Sequence, residues 1–126
     1  MGTLLRTRAF VSRVNGIVLI VATGFIHLIQ VPHHFEVATY LGWLFIANFL
    51  GSLLAAGGIY RGALWGWLLG VLIAGASFVL FLVSRTIGLP ATHEALVGHW
   101  DALGIISLIV EGVFVALYLS VTTLRR

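Results

Sequence analysis

The chain has 126 residues, of which 60% are hydrophobic and only 9% are charged. Soluble domains usually contain about 25% charged residues, so this composition excludes a soluble fold. The chain has no cysteine, which excludes disulfides, thiolate metal sites and cysteine nucleophiles. Its net charge of +3 comes from a few arginines in an acid-poor chain and does not indicate nucleic-acid binding.

Four apolar stretches bounded by charged residues predict four transmembrane helices. Each stretch is long enough, at about 1.5 Å per residue, to cross a hydrocarbon core of about 30 Å. Open sheets leave edge groups unsatisfied in lipid, and no stretch alternates as a barrel strand would. We therefore expect an all-α bundle forming a single domain over residues 1–126. The predicted spans are residues 14–31, 37–60, 63–84 and 102–121.

The arginines predict how this bundle is oriented. Four spans put both chain ends on one side, and that side carries every arginine except Arg85. Because positive residues concentrate in cytoplasmic segments, we expect both ends in the cytoplasm of a multi-pass cell-membrane protein. A turn at residues 32–36 and a longer loop at residues 85–101 then face outwards. The arginines on the cytoplasmic side are Arg6, Arg8, Arg13, Arg61, Arg125 and Arg126.

Small residues at four-residue spacing predict where the helices pack. Lipid provides no hydrophobic reason for helices to associate, so close approach through small side chains supplies the contacts. We expect the second and third spans to pack together near the cytoplasmic side, with an oligomer or partner interface as the alternative. The stripes are Gly62, Gly66, Gly70 and Ala74 in the third span and Ala47, Gly51 and Ala55 in the second.

Aromatic residues near the span boundaries predict an interfacial belt rather than a site, because amphipathic rings settle at the level of the lipid headgroups. The predicted belt comprises Trp43, Trp65, Trp67, Trp100, Tyr40 and Tyr60.

Glu111 is the only acidic residue inside a predicted span. It lies roughly 15 Å below the start of that span, where a carboxylate is costly unless it has a partner or faces the interior. Asn48 lies at a similar depth in the second span and is the predicted partner. An interhelical hydrogen bond and a proton or ion path are both open interpretations. The other polar residues expected within the membrane are His27, Thr23, Ser77 and Ser107.

His27 is the only histidine well inside a span. A neutral imidazole can bind haem or a metal, or relay a proton. A haem between helices usually needs a second facing ligand at the same depth, and the nearest candidate, His99, lies about one turn further out. Haem is therefore the less favoured cofactor, and a hydrogen-bonded interior histidine is preferred.

Nitrogen and oxygen ligands concentrate in the two outer segments. Such ligands suit Zn(II) or Cu(II). These segments are therefore interpreted either as a metal or proton-sensing site or simply as polar loops at the membrane interface. A zincin motif is rejected, because it needs histidines four residues apart, whereas His93 and His99 are six apart. The candidate metal ligands are His33, His34, Glu36, His93, Glu94, His99 and Asp101.

Two strings have a familiar pattern. The first carries His27-Leu28, Pro32 and His34-Phe35, and the second is SRTIGLP at residues 84–90. They resemble segments of small uncharacterised four-helix bacterial integral membrane proteins. The resemblance implies the four-helix architecture and draws attention to His27, His34 and Arg85, but it implies no activity.

No catalytic constellation emerges, so we expect a protein that is not an enzyme. We predict a subunit or accessory of a larger membrane complex, embedded in the lipid bilayer beside other membrane subunits or copies of itself. One alternative is an oligomeric proton or ion transporter or channel that uses Glu111 and His27. Another is an extracytoplasmic protein that binds Zn or Cu.

Overall fold

The structure, a computed structural model, describes residues 2–124, apart from the side chains of residues 5, 123 and 124. Over that range the chain is helical, without strands. Four of its helices are long and apolar enough to cross a membrane, as predicted. Arg125 and Arg126, which contributed to the expected orientation, lie outside the described residues. The helices are α1 (Gly2–Ile29), α2 (Val31–Val37), α3 (Thr39–Tyr60), α4 (Leu64–Arg85), α5 (His93–Leu96) and α6 (Ala102–Leu124).

The long helices form a closed ring in the order α1, α3, α4, α6. Neighbours run antiparallel: His27 near the end of α1 contacts Phe45 in the first half of α3, and Trp67 at the start of α4 contacts Tyr118 late in α6. The start of α1, the α3–α4 turn and the end of α6 therefore lie together. We call this the basic end, because it carries Arg61 and the arginines of α1, and we call the opposite end the histidine end.

Two features differ most from the sequence prediction. Helix α1 begins at Gly2, well before the predicted span, because arginine continues a helix readily. The expected turn after α1 is instead the short helix α2. Pro32 lies in the first turn of α2, where its missing N–H would have had no helical partner.

Helices α3 and α4 approach most closely at the basic end. A Cβ atom on Gly66 would overlap the backbone of Gly58 and Ile59, so only glycine allows this contact. The predicted packing of the second span on the third is thus present here. Gly62 lies in the turn between them, with a φ of 73° that favours glycine.

The other small residues predicted to pack α3 on α4 contact more than one neighbouring helix. Gly70 faces Phe114 of α6 rather than α3, whereas Gly51 of α3 faces Ile73 of α4. Ala55 and Ala74 are fully buried, but Ala47 is exposed and lines a cavity between α3 and α4.

The hydrophobic core fills the half of the bundle near the basic end. Its members include Ile20, Ile59 and Phe114, all fully buried. Trp67 belongs to this core, stacked on Phe114 and covering Gly16, so its assignment to the interfacial belt is wrong. The other five belt residues are exposed: Trp43, Trp65, Trp100, Tyr40 and Tyr60.

Candidate functional site

The buried polar side chains concentrate in the half of the bundle near the histidine end, and Glu111 is the deepest acidic group. Glu111 is 1% exposed, on the face of α6 that meets α1. The Ser107 side chain, one turn earlier, hydrogen-bonds to its carboxyl group. The other carboxyl oxygen, Oε2, is buried without a hydrogen-bond partner. A buried polar atom without a partner is costly, so this bare oxygen requires an explanation.

His27 faces this orphan oxygen from α1. Its Nδ1 lies 2.8 Å from the carbonyl oxygen of Thr23. Because a carbonyl can only accept, Nδ1 carries a proton and donates it, which leaves Nε2 as the variable nitrogen. Nε2 lies 4.0 Å from Glu111 Oε2. This is within ion-pairing distance and about 1 Å longer than a direct hydrogen bond.

Asn48 does not pair with Glu111, so that prediction is wrong. Its Nδ2 donates to the Ser77 hydroxyl at 2.7 Å, and its Oδ1 accepts from the Ser52 hydroxyl at 3.3 Å. Depth along a helix does not fix which neighbour a side chain faces. Asn48 faces α4, whereas α3 and α6 lie diagonally across the ring.

His34 in α2 repeats the geometry of His27. It is 3% exposed, and its Nδ1 donates to the Gln30 carbonyl at 3.0 Å, again leaving Nε2 as the variable nitrogen. Its ring stacks on Phe45 with centroids 3.8 Å apart, and the His27 ring lies 4.8 Å from the same phenyl ring. Burial is the main cause that lowers the pKa of His34 below its usual value, which favours the neutral imidazole.

A cavity of about 340 Å³ lies between α3 and α4 and reaches His27, His34 and Ser107. Its back wall on α1 and α6 therefore includes two groups that contact Glu111. Its exposed wall residues come from α3, α4 and the segment after α4, so the cavity opens outwards between these helices. Those exposed residues are Tyr40, Leu44, Ala47, Leu72, Ala76, Leu80 and Pro90.

Arg85 lines the cavity at the histidine end. It is 6% exposed and donates three hydrogen bonds: Nε to the His99 carbonyl at 2.7 Å, Nη1 to the Ser84 hydroxyl at 2.8 Å and Nη2 to Asp101 Oδ1 at 2.9 Å. Its guanidinium also lies 4.3 Å above the Phe81 ring. Partial burial raises the pKa of Asp101, but the hydrogen bonds from Arg85 and a backbone N–H outweigh burial and lower it overall.

The structure brings together some of the candidate metal ligands. A surface depression of about 450 Å³ at the histidine end is lined by His33, His34, His99 and Asp101. Within residues 2–124, no three histidine or acidic side chains come close enough together to hold a metal ion. The remaining candidates, Glu36, His93 and Glu94, are exposed and do not line this depression.

Sequence reasoning did not foresee the roles of Gln30 and Phe45. Gln30 supplies the carbonyl that holds His34, and Phe45 contacts both histidine rings. The four-residue spacing of Thr23 and His27, repeated by Gln30 and His34, was an available signal, because these positions stack on a helix. No signal in the sequence places Phe45 against both rings.

No protein-family model matches this chain, and comparisons with curated proteins and with solved structures gave no significant match.

Proposed function

We propose that this protein is a multi-pass protein of the cell membrane, with its basic end in the cytoplasm and its histidine end outside. Four apolar helices of membrane length support the first part of the proposal. The positive-inside rule, applied to Arg6, Arg8, Arg13 and Arg61 at the basic end, supports the orientation.

The natural absence of cysteine makes this orientation testable. A single cysteine at exposed Glu94 should react with a membrane-impermeant maleimide on intact cells, whereas one at exposed Arg61 should react only after lysis. The reverse labelling pattern would contradict the orientation.

Within that membrane setting, we propose that the protein transports protons through Glu111 and His27. The observation that carries this proposal is the unpartnered Glu111 Oε2, buried 4.0 Å from His27 Nε2. One proton placed between these atoms would satisfy both groups, either as a neutral carboxyl and imidazole or as an ion pair. Ionisable residues inside membrane helices are expensive, and proton relays are one of their main uses.

The distribution of polar groups favours a transporter over an open channel. From Glu111 towards the basic end, the interior is filled by apolar residues such as Ile20, Ile59 and Phe114. Towards the histidine end, His27 and His34 line a common cavity, and His34 also lines the surface depression. Polar side chains therefore lead from the pair towards one end only. Transport would need a second conformation that opens a path to the other end.

Proton flux into reconstituted liposomes tests this proposal. With an imposed pH gradient and valinomycin to clamp the voltage, wild-type protein should acidify the lumen faster than protein-free liposomes do. Glu111→Gln should reduce the flux to the protein-free rate, whereas Glu36→Gln, which alters an exposed acid, should leave it unchanged. Full flux through Glu111→Gln, or no flux through wild type, would contradict proton transport.

The other predictions remain open to separate tests. Co-purification from native membranes would test a role as a subunit or accessory of a larger complex. Elemental analysis after mild purification would test the binding of Zn or Cu at the histidine end.

A further inference from the structure

The cavity lies between α3 and α4, which are joined at two points. They touch through Gly58 and Gly66 at the basic end, and the Asn48–Ser77 hydrogen bond joins them near the middle. The cavity lies around this bond and extends from it towards the histidine end, with Leu72 and Ile73 forming its wall on the basic side. Its volume of about 340 Å³ lies within the range of small-molecule sites, roughly 300–1,000 Å³.

The entrance to this cavity is apolar. Leu44, Leu72 and Leu80 line the cavity and are exposed on the outside of the bundle. In a membrane, such a surface meets hydrocarbon rather than water. A ligand would therefore enter sideways from the lipid and would itself be soluble in lipid.

The interior of the cavity offers one acceptor and one donor. His34 lines it and is 3% exposed, and no described residue bonds to its Nε2 once Nδ1 is held by Gln30. The Ser77 hydroxyl accepts from Asn48, so its own proton remains available to donate. A hydroxyl group on a ligand could donate to His34 Nε2, and an oxygen atom could accept from Ser77.

The charges around the cavity disfavour an anionic ligand. Arg85, the cationic wall residue, is already paired with Asp101 and donates its other hydrogen bonds to Ser84 and His99. Among the described residues that line the cavity, an anion would find no unpaired cation to offset the cost of leaving water. Glu111, behind His27 and Ser107, would repel an anion whenever it is ionised.

We infer that this cavity binds a neutral amphipathic molecule from the hydrocarbon layer, with an apolar ring or chain in the α3–α4 cleft and a hydroxyl or carbonyl head at His34 and Ser77. The inference goes beyond proton transport and stands without it. Binding needs only the cavity and its two hydrogen-bonding groups, whereas proton transport needs Glu111.

Three matched probes test this inference on the full-length protein in lipid nanodiscs. The probes are 1-naphthol, which is neutral and carries a hydroxyl group, naphthalene, which carries none, and 1-naphthoate, which is anionic. Titration calorimetry against empty nanodiscs corrects for partition into lipid. We expect 1-naphthol to bind saturably, one per chain, and at least about fivefold more tightly than either of the other probes, as one net hydrogen bond implies.

Four variants locate the binding. Ala76→Trp fills the cleft from an exposed wall position, and Val79→Trp is its control, because Val79 is exposed on the same helix outside the cavity. The first should abolish saturable 1-naphthol binding, and the second should preserve it. His34→Phe, which keeps a ring against Phe45, and Ser77→Ala should each weaken 1-naphthol binding about three- to fivefold without changing naphthalene binding.

The inference is overturned if the three probes bind alike, if 1-naphthoate binds most tightly, or if Ala76→Trp retains saturable binding. If Ala76→Trp does not fold, the inference is still tested by the probe selectivity of wild type and by the effects of His34→Phe and Ser77→Ala on 1-naphthol binding. Glu111→Gln separates the two proposals, because it should lose proton flux and keep 1-naphthol binding. Loss of proton flux in Glu111→Gln would therefore leave the ligand site unaffected.

Discussion

Arg85 and Asp101 join the end of α4 to the start of α6, with Nη2 and Oδ1 2.9 Å apart. Asp101 Oδ2 also accepts from the backbone N–H of Gly104, in the first turn of α6. A carboxylate at a helix start offsets the unpaired N–H groups there. One ion pair thus joins a wall residue of the cavity to the first turn of α6.

This relationship predicts that Arg85 is more important for stability than its position at a helix end suggests. Arg85→Leu removes three hydrogen bonds, and we expect it to destabilise the protein by about 2–4 kcal/mol. Asp101→Asn should cost less, about 1 kcal/mol, because the Asp101 side chain is 43% exposed and water can replace part of the interaction. Denaturant unfolding in detergent micelles measures both values.

The control for this prediction is Arg61→Leu, at an exposed arginine in the α3–α4 turn. We expect its unfolding free energy to stay within about 0.5 kcal/mol of wild type. If Arg61→Leu and Arg85→Leu changed the unfolding free energy equally, the buried hydrogen bonds of Arg85 would not stabilise the protein.

Glu111→Gln should stabilise the protein even though we expect it to stop proton transport. The amide keeps the shape of the carboxyl group and supplies an N–H that can donate to the bare Nε2 of His27. It also removes the burial of an ionisable group whose Oε2 has no partner. We expect a gain of about 1 kcal/mol in unfolding free energy.

Glu111→Ala is the matched comparison, because it also removes the carboxyl group but leaves a cavity and a bare His27. We expect it to destabilise by about 2–4 kcal/mol. A loss of stability in Glu111→Gln as large as in Glu111→Ala would show that the unpartnered Oε2 of Glu111 does not destabilise the folded protein.

The closest helix contact gives a prediction with a matched control on the same helix. Gly66→Ala would place its Cβ against the backbone of Gly58 and Ile59, which cannot yield as a flexible side chain would. We expect a loss of about 1–3 kcal/mol from this overpacking. Gly75→Ala meets nothing within 4 Å and should gain up to about 1 kcal/mol from better helix propensity.

Thermal unfolding of both variants in the same detergent checks this prediction. If Gly66→Ala proved as stable as Gly75→Ala, the close approach of α3 and α4 would not exist in the folded protein.

The sequence predicted the four long helices well because charged residues and turn residues bound each apolar stretch. It could not predict which faces meet, and this is why the Asn48–Glu111 pair failed and Trp67 was misplaced. Both errors have one cause: depth in the membrane follows from counting residues, whereas rotation about the helix axis depends on the order of helices in the ring. That order places α3 opposite α6, and Trp67 between Gly16 and Phe114.

The short helix α2 shows a second limit of sequence reasoning. Its sequence, with Pro32 and two histidines, is typical of a loop, and seven residues are too few for a helix to form alone. Packing against α3 stabilises it, through the stacking of His34 on Phe45 and of Phe35 against Gly42. Tertiary contacts of this kind leave no periodic pattern to recognise.

Acid should destabilise the protein in a pH range that is set by the lowered pKa of His34. Because burial lowers its native pKa below the ordinary value of 6.5, the unfolded chain binds a proton at His34 more readily than the folded chain does. Stability is therefore unaffected by this group above about pH 6.5 and falls as the pH drops towards the native pKa. The charged groups that act on His34 are His33 and Arg85, which oppose protonation, and Asp101, which favours it.

His34→Phe tests the assignment, because it keeps the ring against Phe45 and cannot bind a proton. Between pH 7 and 5, its unfolding free energy in detergent should fall less steeply than that of wild type. Exposed His93→Phe is the control and should leave the slope unchanged. Asp101 affects stability in a lower pH range than His34 does. Its native pKa is lowered from the ordinary value of 3.8, so its contribution to the unfolding free energy is complete above that pH and is lost as the pH falls through the native pKa. A fall in unfolding free energy between pH 7 and 5 that is as steep in His34→Phe as in wild type would assign the acid sensitivity to another group.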